Sequence, residues 1–156
     1  MKNRLKGLTL IETVLYIGLF SIILLMVISF MLMTQESASN TESTESLYDS
    51  SQFITQHINY TFENAQSVDD TNSLFNIDSG KLTLDIDTLT KTYEMQNQQI
   101  YYDGVPVSPP SITVEKFYLT PIYKETEITA VRINILLRDK VNTNRTEEIN
   151  LLSTFR

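Results

Sequence analysis

The feature that most constrains this chain is an uncharged run of 21 residues, Thr13–Met33, close behind a short basic stretch. As a helix rising about 1.5 Å per residue, the run spans roughly 30 Å, the thickness of a bilayer's hydrocarbon core. Leu, Ile, Val, Met and Phe occupy it all round, as lipid or the core of a helical bundle requires. Lys2, Arg4 and Lys6 precede the run, and no basic residue follows Lys6 until Lys81. The positive-inside bias therefore places the N-terminus in the cytoplasm and the remainder outside. A secretory signal has the same order of basic and apolar regions, but its small-residue cleavage site follows the apolar part. Here the small residue, Gly7, comes first, so a cut after it would leave the apolar helix on the mature chain.

One acid, Glu12, stands at the head of the helix. A carboxylate costs about 2.5–3.5 kcal/mol at the membrane centre and less toward the edge, so by default it marks function or a partner. Cleavage after Gly7 would supply a partner, the cationic amine of Leu8. The bland alternative is a headgroup-level acid that faces water, on an uncut anchor with a chance glycine.

The segment Gly7-Leu8-Thr9-Leu10-Ile11-Glu12, with its basic leader and apolar run, resembles the type III signal of type IV pilins and type II secretion pseudopilins. Leu8 is the one departure, since Phe is commonest there. The resemblance implies that a membrane-embedded prepilin peptidase cuts between Gly7 and Leu8 and methylates the new amine of Leu8. Gly7 suits that role because a residue without a side chain lets a protease approach the backbone closely. It further implies that Glu12 pairs with the amine of a neighbouring subunit and so sets the stagger between subunits. The partners implied are the prepilin peptidase, other pilin or pseudopilin subunits and the cytoplasmic membrane. The end point implied is an extracytoplasmic filament. Many major pilins kink their helix with proline; this run has none, which points to a minor subunit. The order of helix, acidic loop, strands, proline loop and three closing strands most resembles J-type minor pseudopilins and their pilus counterparts, which implies a place at or near the tip. The leader and helix are common to type IV pili, type II secretion and competence pseudopili.

Past the membrane run, residues 34–46 are almost wholly polar, a flexible linker or a solvated continuation of the helix. Apolar and small residues then return at Leu47, Ser51, Ile54, Ile58, Phe62 and Ala65, spaced by three or four as on one helical face. We read 8–66 as largely helical, with fraying around 37–45. His57, the single histidine, lies off this stripe and is expected to be solvated or half-covered. Residues 66–80 are rich in turn formers, and beyond them the period falls to two. Leu82, Leu84 and Ile86 alternate with polar residues. Thr90–Met95 and Gln99–Asp103 form a hairpin turning near Asn97-Gln98. Residues 103–110 make a stiff proline loop that interrupts the sheet, and strands follow at 112–119, 127–138 and 146–154, with a loop at 139–145.

The expected fold class is thus α+β: a long N-terminal helix, membrane-spanning in its first half, packed by its second half on an antiparallel sheet. Its parts are a leader (1–7), an assembly helix (8–33), a solvated and amphipathic continuation (34–66) and a β-rich domain (67–156). Without the leader the side chains number nine basic against 19 acidic, a charge of −10, which repels phosphate backbones and argues against direct nucleic-acid binding by the folded domain. With no cysteine, the exported part is held by packing alone. Catalytic equipment is lacking: there is no zinc-ligand spacing, phosphate-cradling loop or nucleophile elbow, so no catalytic, cofactor or metal residue is assigned. Asp85 with Asp87 on one strand face, or Asp69, Asp70 and Asp78 in one loop, could ligate calcium; turn formation and solubility explain them as well. Tyr101-Tyr102 and Phe117-Tyr118 read as sheet packing pairs. The rival to a filament subunit is a tip or membrane-anchored binding module for adhesion, DNA uptake or secreted cargo, with loops 104–110 and 139–145 as its surfaces. A membrane-anchored enzyme ranks last.

Overall fold

In a computed structural model, which describes residues 9–155, a single helix α1 (Leu10–Asn64) precedes eight strands. These are β1 (Ser67–Val68), β2 (Lys81–Ile86), β3 (Leu89–Gln96), β4 (Gln99–Tyr102), β5 (Val105–Pro106), β6 (Ile112–Lys124), β7 (Glu127–Asp139) and β8 (Thr146–Thr154). The chain divides into two compact units, the first ending at Thr41 and the second beginning at Glu42.

In the first unit every residue of α1 from Leu10 to Met33 is exposed. The most apolar window of the helix has a mean hydropathy of 2.6 and is long enough to cross a membrane. The fraying expected around 37–45 is not seen, for those residues are helical throughout. The hydroxyls there bond backward instead of competing for the helix: Thr41 Oγ1 donates to the Ser37 carbonyl at 3.0 Å. Such i−4 bonds leave the backbone ladder intact.

In the second unit the stripe read from spacing is the buried face of α1. Leu47, Ser51, Ile54, Ile58 and Phe62 are buried, as is Ala65 just beyond the helix end. Each large apolar member contributes about 1.5–3 kcal/mol by leaving water. They join Leu82, Leu84, Tyr93 and Ile100 from the first sheet and Ile112, Val114, Phe117, Leu119, Ile133 and Ile135 from the second in one core. The fold is α+β, with the later turns of the helix packed on antiparallel strands.

The strands make two sheets rather than one. The first is a five-stranded meander, β1-β2-β3-β4-β5; the second is β6-β7-β8. All pairs within them are antiparallel. The β3–β4 turn falls on Asn97 and Gln98, at φ of 49° and 60°, the left-handed pair that two-residue hairpins need. A second such turn, Asp103 (48°) and Gly104 (79°), folds Val105 and Pro106 back onto Tyr102 and Tyr101. The start of the expected proline loop is therefore an edge strand, β5, where proline's missing N–H costs nothing.

The segment 66–80 is more ordered than its turn residues suggest. Besides β1, it reaches β6 through Asn76 N–H to the Leu119 carbonyl, Gly80 N–H to the Phe117 carbonyl and Phe117 N–H to the Asp78 carbonyl, each at 2.8 Å. Gly80 is required by that approach: a Cβ there would sit 2.7 Å from the Phe117 oxygen.

β6 extends beyond the expected 112–119 to Lys124 and carries a register shift between Val114 and Lys116. The extra residue, Glu115, reverses the parity of the strand, so Ile112 and Val114 before it and Phe117 and Leu119 after it all face the core. Arg138 holds the bulge through Nε at 2.7 Å and Nη2 at 2.9 Å from the two carboxylate oxygens of Glu115. In β7, Val131, Ile133, Ile135 and Leu137 are buried, while Arg132 is exposed and Asn134 and Leu136 are half-buried. That strand thus keeps one apolar face.

Candidate functional site

Gly7 and Leu8, the residues of the expected processing junction, lie outside the described residues. Thr9 is the first described residue and caps the helix. Its hydroxyl accepts the Glu12 N–H at 3.4 Å, and its carbonyl accepts the Thr13 N–H at 3.1 Å and the Thr13 hydroxyl at 3.2 Å. Thr9-Leu10-Ile11-Glu12 has the spacing of a capping box, with the acid at the third helical position. Negative charge in that first turn is favoured by the helix dipole, by about 0.3–1 kcal/mol where exposed. Glu12 is exposed, and among the described residues its side chain forms no hydrogen bond or ion pair. The helix geometry so stabilises the acid locally and leaves its oxygens open to a partner. Gly18 is open, with nothing within 4 Å of a Cβ built on it, and Ser21 Oγ donates to the Ile17 carbonyl at 2.8 Å.

The aspartates weighed as calcium ligands do not converge. Asp85 ends on the Ser67 hydroxyl at 2.9 Å. Asp87 is not on the same strand face: β2 stops at Ile86, and Asp87 takes a φ of 53° in the following turn. Asp69 is spent on its own turn, accepting the N–H groups of Thr71 and Asn72 at 3.0 Å each and the Asn72 amide at 2.6 Å. Those bonds, from Asn72 first, pull its carboxyl below the usual range. Asp70 faces the Tyr123 hydroxyl at 3.5 Å, whereas the Asp78 carbonyl belongs to the β6 contact. Among the described residues no group of three or more acids and histidines is placed to hold a metal ion.

The two loops considered as binding surfaces are brought together. Lys140 Nζ donates to the Pro110 carbonyl at 2.6 Å and its N–H to the Ser111 carbonyl at 3.1 Å. Asp139 belongs to β7 rather than to the loop. It is buried and caps the turn by accepting the Val141 and Asn142 N–H groups at 2.7 and 2.6 Å.

His57 is half-buried, as expected, but it is not idle. Its Nδ1 lies 2.6 Å from the Tyr93 hydroxyl, which lies 2.6 Å from the Thr61 hydroxyl, which donates at 2.8 Å to the carbonyl of His57 itself. Three protons satisfy these three contacts in one arrangement: Nδ1–H to Tyr93, Tyr93 O–H to Thr61, Thr61 O–H to the His57 carbonyl. That assignment makes Nε2 a bare acceptor. Burial disfavours the imidazolium and lowers the pKa of His57, and burial likewise pushes the Tyr93 phenol up. Tyr102 closes the group, with ring centres 4.9 Å from His57 and 4.7 Å from Tyr93. Tyr101-Tyr102 was read as a packing pair, and Tyr102 does pack, but Tyr93 carried no signal beyond its place in a strand. Only the pairing of β3 with β4 and the rotation of α1 put these rings together.

Compared with protein-family models, curated proteins and solved structures, the chain matches none.

Proposed function

We propose that the protein is a minor pilin or pseudopilin, a non-enzymatic subunit that enters the cytoplasmic membrane, is processed between Gly7 and Leu8, and joins a filament. The observation that carries this reading is Glu12. It is the one charge on a helix exposed and apolar from Leu10 to Met33, it is unpartnered among the described residues, and it stands five residues past the Gly7 junction. In an anchor that merely tethers a domain the acid would serve the helix end alone, whereas a filament that pairs Glu12 with a neighbour's Leu8 amine also uses its free carboxylate. The α+β fold with one long apolar N-terminal helix is compatible with this role.

The mechanism follows from the parts. After processing, the 8–33 helices would withdraw from lipid into a shared apolar core. Stagger would be fixed where Glu12 meets an amine, because in a low-dielectric core only the paired register avoids an isolated charge. Growth would be head-to-tail, which leaves the assembly open-ended. The sheet domain would face outward, and the orientation would follow the basic residues before Gly7, N-terminus in the cytoplasm.

Intact-mass spectrometry of the mature protein, from cells with and without prepilin peptidase, tests the reading. A chain that begins at Leu8 and carries one added methyl, only where the peptidase is present, is the expected result. A chain still beginning at Met1 in both would overturn it.

A further inference from the structure

Beside the hydrogen-bonded ring of His57, Tyr93 and Thr61 lies an open cleft of about 380 Å³, between the last turns of α1 and the strands β2 to β4. Its walls include His57, Tyr60, Asn64, Asp87, Lys91 and Tyr102. The volume falls in the range of small-molecule sites, about 300–1,000 Å³. We propose that this cleft, where tyrosine side chains meet hydrogen-bonding groups, binds an uncharged saccharide.

The chemistry of the walls narrows the ligand class. Lys91 is already neutralised, with Nζ 2.6 Å from an Asp103 carboxylate oxygen, and Asp87 adds negative charge on the same side. An anion is therefore poorly served. A cation would find one carboxylate, the solvent-exposed Asp87, which already accepts from the Gln66 amide at 3.5 Å, and attraction to a single exposed charge contributes little. What remains is a neutral ligand with many hydroxyls, each able to donate and accept. The lining residues carry acceptors: His57, whose Nε2 is unprotonated when Nδ1 donates to Tyr93, the Asp87 carboxylate, which also accepts the Gln66 amide at 3.5 Å, and the Asn64 amide oxygen, the amide nitrogen of Asn64 being bound to the Tyr60 carbonyl at 2.6 Å. Hydroxyls at Tyr60 and Tyr102 donate or accept. The C–H face of a pyranose is apolar and stacks on an aromatic ring, and Tyr60 is largely exposed at the cleft mouth.

The cleft is also preorganised. The Thr61–Tyr93–His57 ring fixes the imidazole, and Asp103 steadies the rim by accepting the Thr92 N–H at 2.9 Å as well as Lys91. Little ordering then remains to be done on binding.

The test is nitrogen–proton correlation NMR of the full chain in micelles of a zwitterionic detergent that lacks a sugar headgroup. The probes are maltose, lactose and chitobiose, with sodium phosphate and lysine amide as charged controls. At least one disaccharide should shift the amides of His57, Asp87, Lys91 and Tyr102 with a dissociation constant of about 1 mM, typical of a single small site. Two variants check the location. Tyr60→Ala removes an exposed helix side chain, and Asp87→Asn keeps a residue type that tolerates left-handed φ, so both retain the fold. Each should weaken binding about fivefold or more. Silence from all three sugars, a stronger response to phosphate or lysine amide, or binding unchanged in both variants would each overturn the proposal.

Discussion

Glu12 combines two demands that rarely coincide. At the third position of α1, with Thr9 capping, its charge is favourable for the isolated helix. In a packed helical core the same charge is tolerable only with a partner. The two roles separate by substitution. Glu12→Gln keeps the capping-box geometry and the helix but removes the charge, and Glu12→Ala removes both. If pairing with the Leu8 amine sets register, both variants should enter the membrane at wild-type levels. Both should then be depleted from sheared filaments by about tenfold or more, which corresponds to the loss of 1.4 kcal/mol or more of pairing. Membrane fractionation with immunoblotting of sheared filaments reads both quantities. Incorporation of Glu12→Gln at the wild-type level would show that the acid serves the helix end alone.

At the scale of elements, Gly80 marks how the sheets are tied. The strap at 76–80 bonds to β6 along its backbone, and Gly80 lets the two chains approach. In Gly80→Ala the new methyl meets a backbone oxygen, Phe117 O at 2.7 Å, which cannot swing aside, and a terminal methyl of the fully buried Leu119 at 2.9 Å. Overpacking of this kind costs about 1–3 kcal/mol. Urea unfolding of the full chain in micelles should show that loss as a lower midpoint with little change in slope. The same element explains what could be read in advance. The α1 stripe and the alternation of β2 were legible because 3.6- and 2-residue periods follow from backbone geometry alone. The β3–β4 turn was legible because Asn97 tolerates a left-handed φ. The strap was not, since its order comes from a partner nearly 40 residues on, and turn residues look alike whether they dangle or dock. The bulge at Glu115 was equally hidden. It shifts the alternation by one residue within the strand, which itself runs to Lys124, five residues past the expected end at 119. Of the candidate site, Glu12 and the Gly7 junction were plain as local motifs, whereas the His57–Tyr93–Tyr102 group exists only through pairings distant in sequence.

For the whole molecule, the second unit is a small core without disulfides, so its stability rests on packing and, in part, on keeping its half-buried imidazole neutral. His57 faces Tyr93, Tyr102, Lys91 and Asp87, and burial holds its pKa below the ordinary 6.5. The sign follows from proton counting. Between the lowered folded value and 6.5, the unfolded chain binds a proton that the folded chain refuses, so acid favours unfolding there. This contribution is fully present above about pH 6.5 and is lost progressively as the pH falls toward the folded value. Below that value both states are protonated and the slope disappears. Paired urea titrations of the wild type and His57→Gln, in the same micelles from pH 7.5 to 5, isolate the term. The wild type should lose stability over this range, and the variant, which has no group to titrate there, should run flat apart from the carboxylates that both share. Parallel curves for the two proteins would mean that the imidazole is solvated, and the closed ring of His57, Tyr93 and Thr61 would then fail as the device that shapes the cleft.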